Sequence, residues 1–332
     1  QNYISIKVDR EEHPDVDQIY MDVVMALTGR GGWPISVILT PDLKPVFGGT
    51  FFWRDAFISI LNQIQEIWRR EPKKIIHSAE EIARTLSEEI EKDRSGNIDP
   101  KWLEQAFLQL QKNFDPVYGG FGSSPKFPQT QQIYFLLHYY QMKKEVAALE
   151  MAEKTLEAMA CGGIFDHLGG GFHRYSTDEQ WLVPHFEKML YDNALLAVAY
   201  LEAFQVKGNI DFQRVTRDIL DYVLRDMTSP EGAFYSATDA DSIGPSGHRE
   251  EGYYFTWTPS ELDQALSDTE AKLVKQYYSV TEAGNFEGRN ILHAPRPLHE
   301  IAKGLKVSEE ELRNNLNRAR EKLYQVRSKR PL

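Results

Sequence analysis

The sequence predicts an α/β domain followed by an all-α domain. Strand and helix patterns alternate up to residue 94, whereas from Asp99 onward amphipathic helices alternate with glycine–aromatic loops. At 332 residues the chain is long enough for two hydrophobic cores. The small, polar, turn-forming segment Ser95–Asn97 is the expected boundary. The predicted domains are therefore residues 1–94 and 95–332.

The N-terminal elements follow from hydrophobic periodicity. A strand is predicted at Tyr3–Asp9, where apolar and polar residues alternate. The helix predicted from Pro14 to Leu27 is ended by Gly29. The apolar run Ile35–Leu39 suits a strand covered on both faces. Further elements are a strand pair or hairpin at 44–53 and helices at 56–68 and 74–92.

A proline directly precedes the central apolar strand. Strand, helix, strand, strand, helix, with a proline at this place, is the element order of the second half of a thioredoxin-like fold. In that fold the proline is cis, so we predict a cis Trp33–Pro34 bond, although only about 5–6% of X–Pro bonds in folded proteins are cis.

The second domain shows a repeat. Phenylalanines in glycine–aromatic loops fall at 121, 172, 234 and 286, and a helical hairpin fills such a period. Repeated hairpins either stack into a solenoid or close into a toroid, and aromatic loops gathered at one end favour the toroid. A strand is expected only at Tyr253–Trp257. Helices are predicted at 100–113, 129–142, 145–160, 185–206, 210–227, 259–267, 269–278 and 308–326.

Composition excludes several functional classes. The net charge of −11 argues against nucleic acid and anionic membrane surfaces as partners. With Cys161 as its single cysteine, the chain has no intramolecular disulfide, dithiol centre or thiolate zinc site. No apolar run is long enough to span a bilayer and no signal peptide is evident, so we expect a cytoplasmic protein. The motifs for phosphate cradles and histidine metal sites are missing, so no cofactor and no metal are expected.

The stretch Gly169–Asn193 is the candidate site. It combines three glycines with histidines, carboxylates and aromatic residues. Pro184 is predicted to open a helix on which His185, Lys188 and Asp192 share a face. We interpret this polar cluster at the mouth of a buried helix as a cleft floor. The alternative is a helix N-terminus with a satisfied hydrogen-bond network and no chemistry.

The residue types suit sugar chemistry. Epimerisation needs an acid and a base on opposite faces of the substrate, and glycoside hydrolysis needs two carboxylates. Simpler explanations compete: Asp239 and Asp241 can form a loop turn, and Glu187 and Asp192 can interact favourably with a helix dipole. The candidate catalytic residues are His173, His185, Glu187 and Asp192. The candidate substrate-binding residues are Phe121, Lys126, Arg174, Tyr175, Asp178, Trp181, Asp239, Asp241, Glu251 and Tyr254.

Long segments of the chain resemble signature segments of one family. They are IKVDREEHPDVDQIYMDVVMALTGRGGWPISVILTPDLKPVFGGTFF, FGSSPKFP, GGIFDHLGGGFHRYSTDEQWLVPHFEKMLYDNA, TSPEGAFYSATDADS and NFEGRNIL. The chain thereby resembles the spermatogenesis-associated protein 20 family. The resemblance implies a thioredoxin-like domain followed by an (α/α)6 toroid similar to those of N-acylglucosamine 2-epimerases and six-hairpin glycosidases. The implied fold class is α/β plus all-α, with a partial thioredoxin-like domain and part of the toroid.

Two departures from the family pattern matter. The Cys-x-x-Cys-type segment that family members carry before the first strand does not occur in this sequence, and the family continues past Leu332 with further hairpins. We therefore expect a fragment that holds the first half of the toroid.

Three functional hypotheses follow. The first is a carbohydrate-active enzyme, of the sugar epimerase, isomerase or glycosidase type, with a small-molecule substrate bound in the toroid. The second is a thiol-redox or partner-binding protein, in which the thioredoxin-like domain binds a protein partner and the cysteine motif lies outside this chain. The third is a non-catalytic binding module, because a fold does not by itself imply an activity.

Overall fold

The computed structural model describes residues 2–10, 12–93, 99–245 and 247–331. The chain divides into two compact units, Gln1–Asp99 and Pro100–Leu332. The first unit combines a small sheet with helices, and the second consists mainly of helices joined by loops. The predicted class, α/β followed by all-α, is confirmed. The boundary predicted at Ser95–Asn97 lies outside the described residues.

The sheet of the first unit has two antiparallel strands, β1 (Ser36–Leu39) and β2 (Pro45–Gly49). The peptide bond between Trp33 and Pro34, just before β1, is cis as predicted. The segment after β2 forms no second strand, so the strand pair proposed at 44–53 reduces to β2 alone. The helices agree with the predicted periodicity: α1 (Pro14–Thr28), α2 (Arg54–Arg70) and α3 (Pro72–Asp93). Both α1 and α3 pack against β2.

The strand predicted at Tyr3–Asp9 is wrong. Within the described part of the chain no residue of this segment pairs in a ladder, and Ile4 and Ile6 are 92% and 74% exposed. The Tyr3 hydroxyl donates a hydrogen bond to the Leu61 carbonyl at 2.6 Å. An alternating pattern becomes a strand only where a neighbouring strand supplies backbone hydrogen-bond partners, which the pattern itself does not reveal.

The helices of the second unit pack as successive hairpins. Each helix from α5 to α7 contacts the next along the chain, α7 packs most extensively against α8, and α5 also contacts α7 while α4 contacts α6. Two layers of alternate helices result, as expected for part of an (α/α)6 toroid. The bounds are α4 (Lys101–Asn113), α5 (Thr130–Lys143), α6 (Val146–Cys161), α7 (Leu190–Lys207) and α8 (Ile210–Asp226).

A second group of helices surrounds its own apolar cluster, which includes Trp257, Leu262, Ile301 and Leu323. The sequence predicts three of these helices and misses α11, which is only eight residues long. The strand expected at Tyr253–Trp257 is wrong, because this segment forms turns and only Trp257 bridges to Asn290. The helices are α9 (Pro259–Ala265), α10 (Asp268–Tyr277), α11 (Leu298–Leu305) and α12 (Glu309–Arg327).

The start of α7 differs from the prediction. Pro184 does not open a helix; α7 begins at Leu190, and the residues before it form two-residue strands. In these strands backbone groups pair with another strand, which is near in sequence for Pro184 and distant for Met189, instead of with the next turn of a helix. Hydrophobic periodicity cannot show such pairing. The strands are β3 (Tyr175–Ser176), β4 (Pro184–His185), β5 (Lys188–Met189), β6 (Ala237–Thr238), β7 (Asp241–Ile243) and β8 (Arg249–Glu251), paired as β3–β4, β5–β6 and β7–β8.

Two glycine–aromatic loops have the same hydrogen-bonded structure. The loops Phe114–Phe121 and Phe165–Phe172 each close with a bridge between their terminal phenylalanines. In each loop the second residue is an aspartate whose carboxylate accepts two backbone N–H groups two and three residues later. A glycine with positive φ, Gly119 or Gly170, completes the turn. The first two of the four phenylalanine positions in the sequence repeat therefore belong to copies of one loop.

Gly163, just after α6, marks a close approach between two segments. A Cβ at this position would lie 2.1 Å from the Leu182 carbonyl oxygen and 2.4 Å from a methyl of buried Ile291. Because backbone cannot move aside locally, we expect Gly163→Ala to lower the free energy of unfolding by about 2–3 kcal/mol, measured by urea titration. The matched control is Gly304→Ala in α11, where nothing lies within 4 Å; it is expected to stabilise by about 0.5–1 kcal/mol. Equal effects of the two substitutions would contradict the packing argument.

Candidate functional site

The segment Gly169–Asn193 does not present its polar residues on one helix face. His185 lies in β4, Lys188 in β5 and Asp192 in the first turn of α7. As a result the side chain of Lys188 is buried at 1% exposure, while that of His185 is 30% exposed. The prediction of a shared helix face is therefore wrong. His185 and Asp192 nevertheless both lie near the Arg174 and Glu187 side chains.

Several predicted site residues are buried. Lys126 contacts no solvent; its ammonium donates to the Asp115 carboxylate and to the carbonyls of Gly119 and Glu179. Asp178 is structural as well, because its carboxylate accepts the backbone N–H groups of three residues that follow it. The buried predicted residues are Phe121, Lys126, His173, Trp181 and Tyr254.

His173 is the predicted catalytic residue whose position departs most from the expectation. It is 2% exposed, its Nδ1 lies 2.9 Å from the Phe186 carbonyl, and the Phe186 and Phe255 rings pack edge-on against it. Burial, together with the nearby Lys188 charge, lowers the pKa of His173 to about 3. The imidazole is therefore neutral and shielded from substrate, and we do not retain it as an acid or base.

Five ionisable residues come together at a partly exposed place beside the short strands β4 and β8. His185 Nδ1 lies 2.8 Å from a Glu251 carboxylate oxygen, and its Nε2 lies 3.7 Å from Glu187. Glu187 also accepts a hydrogen bond from the Arg174 guanidinium at 2.7 Å. Asp192 interacts electrostatically with both Arg174 and Glu187. We call Arg174, His185, Glu187, Asp192 and Glu251 the His185 cluster.

An aromatic stack borders the His185 cluster. The Tyr175 ring stacks on the His185 imidazole with centroids 5.2 Å apart, and the Phe127 ring is tilted against Tyr175 at 4.7 Å. Phe127 is 46% exposed. Aromatic faces of this kind can pack against the apolar face of a sugar ring, so Tyr175 is the predicted aromatic residue that lies at the cluster.

Asp241 is the first residue of β7, and Asp239 lies two residues before it. The Asp239 carboxylate accepts the backbone N–H of Asp241 and pairs with Arg249 at 2.9 Å, which is the turn role considered as the simpler alternative. Asp241 stands directly opposite Glu251 in the β7–β8 ladder. Through Glu251, Asp241 therefore belongs to the surroundings of the His185 cluster.

Asp192 has an unusual environment for a carboxylate. One of its oxygens is buried and has no hydrogen-bond partner among the described residues. Burial raises the pKa of Asp192 to about 7, with Arg174 opposing the rise and Glu187 adding to it. A carboxyl group that titrates near neutral pH can both donate and accept a proton under physiological conditions.

The raised pKa of Asp192 predicts a pH effect on stability. Between pH 4 and 7 the folded state holds a proton that the unfolded state releases, so stability falls as pH rises through this range. We expect Asn at position 192 to remove this slope and to make the variant about 1–2 kcal/mol more stable than wild type at pH 8, after allowing for partial exposure. Urea unfolding at pH 5 and pH 8 measures both effects. Parallel pH profiles for Asp192→Asn and wild type would contradict the assignment.

The sequence interpretation missed a buried charged group beside the cluster. Asp166 accepts hydrogen bonds from Lys188 at 2.8 Å and from both terminal nitrogens of Arg327 at 2.7 and 2.8 Å. All three side chains are at most 4% exposed. The sequence did contain a signal for these aspartates, because FDPVYGGF and FDHLGGGF both have the pattern Phe-Asp-x-x-x-Gly-Gly-Phe. In the structure the aspartate of each copy pairs with a buried lysine.

Comparison with known proteins identifies relatives of the chain. A family model named Thioredox_DsbH, described as "Protein of unknown function, DUF255", matches residues 1–87, so the first unit is thioredoxin-like. Human spermatogenesis-associated protein 20 is 40% identical over 367 aligned residues, which cover all of this chain and 46% of that protein. The chain is homologous to the spermatogenesis-associated protein 20 family. The rat member of the family is 38% identical over all of this chain and 46% of its own length.

The chain spans just under half the length of these relatives in the spermatogenesis-associated protein 20 family. Solved structures with similar folds include a sugar epimerase from a ruminal bacterium, at 16% identity and a TM-score of 0.38, covering 40% of this chain and 37% of that one. Another is cellobiose 2-epimerase from Bacillus thermoamylovorans, at 13% identity and a TM-score of 0.37, covering 68% and 69%. These similarities are too weak to carry a substrate from one protein to the other.

Membrane-spanning helices and metal-binding groups are both absent from the described residues. No helix among them is both long and apolar enough to cross a membrane. In the same part of the chain, no three or more histidine, cysteine, aspartate or glutamate side chains are grouped so that they could hold a metal ion.

Proposed function

We propose that the His185 cluster is the acid–base site of a carbohydrate-active enzyme of the sugar epimerase or isomerase type. The observation that carries the proposal is the pair formed by His185 and Glu251, with Nδ1 and the carboxylate 2.8 Å apart. A carboxylate on one ring nitrogen fixes the tautomer and orientation of an imidazole, which leaves the other nitrogen to accept a proton. His185 is partly exposed, so a substrate can reach it.

The other members of the cluster supply the remaining roles. In epimerisation a base removes the proton from the carbon next to a carbonyl, and an acid returns a proton from the opposite face. We assign the base to His185 and the acid to Asp192. Arg174 attracts the Asp192 carboxylate, and we assign it to stabilise the enolate oxygen that forms between the two proton transfers. Glu187 bridges Arg174 and His185 and therefore positions both.

Hydrolysis of a glycoside is the alternative reaction at the same cluster, because three carboxylates belong to it. We favour proton transfer, since the best-defined contact in the cluster is that between a histidine and a carboxylate. The two reactions differ in their products: hydrolysis releases a new reducing end, whereas epimerisation preserves the number of reducing ends and inverts one carbon.

Isotope exchange tests the proposal. The protein is incubated with reducing mono- and disaccharides in deuterium oxide, and the proton on the carbon next to the carbonyl is followed by NMR. We expect loss of this proton signal at a rate well above that of the buffer, for at least one sugar. Exchange at the buffer rate for all sugars, under conditions in which the protein remains folded, would refute the acid–base proposal.

A further inference from the structure

We infer that the His185 cluster selects a sugar carrying a positively charged amino group over neutral and acidic sugars. This inference rests on the proposed function and names the substrate class of the same site. The charges that remain after the ion pairs are formed, the β7–β8 ladder and the neighbouring aromatic rings support it.

The cluster has more negative than positive charge. Arg174 is matched by Glu187 at 2.7 Å, and Arg249 is matched by Asp239 at 2.9 Å. Within the described part of the chain, Glu251 forms an ion pair with His185 and with no lysine or arginine. Glu251 of the cluster and its ladder partner Asp241 are therefore left without a permanent cation among the described residues. An acidic sugar would add a third negative charge, and its binding is disfavoured by like-charge repulsion.

The β7–β8 ladder sets two carboxylates against each other. Asp241 and Glu251 are directly opposed partners in the register, so their side chains emerge on the same face of the ribbon. Like charges in this position destabilise a two-stranded ladder. A local conflict of this kind is expected at functional sites. An ammonium group between the two carboxylates would relieve the repulsion, because it donates three hydrogen bonds and carries the compensating charge.

The aromatic stack fits the rest of such a ligand. Phe127 is 46% exposed and packs 4.7 Å from the Tyr175 ring, which itself stacks on His185 at 5.2 Å. Ring faces attract cations as well as the apolar face of a pyranose. The arrangement thus combines carboxylates for the ammonium group with aromatic rings for the sugar ring, and both are next to the proposed base.

The chemistry of the proposed reaction is compatible with this substrate class. An ammonium group withdraws electrons and makes a neighbouring C–H bond more acidic, which helps a histidine base to remove the proton. The amino group itself keeps its protons and its charge throughout, so no further reactant is needed. Acylation of the nitrogen would remove the charge and with it the preference.

A binding experiment with one sugar scaffold tests the inference. Dissociation constants of glucosamine, glucose, N-acetylglucosamine and glucuronate are measured by calorimetry at pH 7 and low salt. We expect glucosamine to bind about tenfold more tightly than glucose and N-acetylglucosamine, and glucuronate to bind weakest. In Glu251→Gln and Asp241→Asn the preference for glucosamine should fall about threefold to tenfold. Glu104→Gln, at an exposed position on α4, changes the charge equally outside the cluster and should leave the preference intact.

The outcomes separate this inference from the proposed function. Equal binding of the four sugars, tighter binding of glucuronate, no binding at all, or a preference unchanged in both variants would overturn the inference. Isotope exchange without a charge preference would leave the proposed function standing alone. Charge-selective binding without isotope exchange would support the substrate class while the catalytic proposal fails.

Discussion

Replacing Asp166 with Asn is expected to lower the free energy of unfolding of the second unit by about 3–5 kcal/mol. Asp166 is the counter-charge of two buried cations, Lys188 and Arg327. Asn has nearly the same shape but no charge, so it leaves both cations buried without compensation. Removing one partner of a buried ion pair costs far more than the pair itself contributes, because the desolvated charge that remains is unpaired.

The surroundings of Asp166 explain why the effect should be large. Burial by itself raises the pKa of Asp166, yet Arg327 and Lys188 hold it well below the usual value. Because the folded-state pKa is lowered, the stabilisation is present at neutral pH and is lost as the pH falls below the ordinary pKa of an aspartate. The wild-type advantage over Asp166→Asn should therefore shrink toward pH 3.

Urea unfolding followed by tryptophan fluorescence measures this effect, because Trp181 and Trp257 are buried in the second unit. The matched control is Asp263→Asn, which removes an exposed carboxylate paired with Lys275 at 2.6 Å. Surface pairs of this kind contribute about 0–1 kcal/mol. If Asp166→Asn and Asp263→Asn destabilise the protein equally, the assignment of Asp166 as the central counter-charge is wrong.

Replacing His185 with Asn is expected to reduce isotope exchange by about 10²–10⁴-fold, the usual contribution of a general base. Asn keeps a hydrogen-bonding group near Glu251 but cannot accept the proton. The side chain is partly exposed, so we expect little change in the unfolding midpoint. Glu251→Gln should cause a smaller loss, about 10–100-fold, because the imidazole remains but is less well oriented.

His138→Asn is the matched control for His185, since His138 is exposed and lies in an ion pair with Glu202 at 3.4 Å, outside the cluster. This variant should exchange at the wild-type rate. A His185→Asn protein that is folded and retains more than a tenth of the wild-type exchange rate would assign the base to another residue, and Glu187 would then be examined first.

Periodicity predicted the helices well where packing alone determines them. The bounds of α5, α6 and α8 fall within one residue of the predicted bounds, because each helix buries a continuous apolar stripe. The absence of a strand at Tyr3–Asp9 in the described residues and the start of α7 could not be predicted in this way. Their structure depends on backbone partners elsewhere in the chain, such as Ala237 for Met189.

The candidate site was predicted in composition and only partly in position. Arg174, His185, Glu187, Asp192 and Glu251 come together although Glu251 lies 66 residues from His185 in sequence. His173 was expected beside them, but the rings of Phe186, from the same stretch, and of Phe255, from a distant segment, pack against it. A charged or polar residue in a glycine-rich loop can face solvent or a buried partner, and a single sequence does not show which one applies.

The repeated loop has a consequence for how this protein can be altered. Phe114–Phe121 and Phe165–Phe172 are self-contained turns that differ in where the neutralising lysine comes from: 11 residues after Asp115 in one copy and 22 residues after Asp166 in the other. The same turn thus tolerates an intervening segment of variable length between its aspartate and its lysine. The hydrogen bonds within the turn are the same in both copies, so a change in the length of the connecting segment need not alter the turn itself.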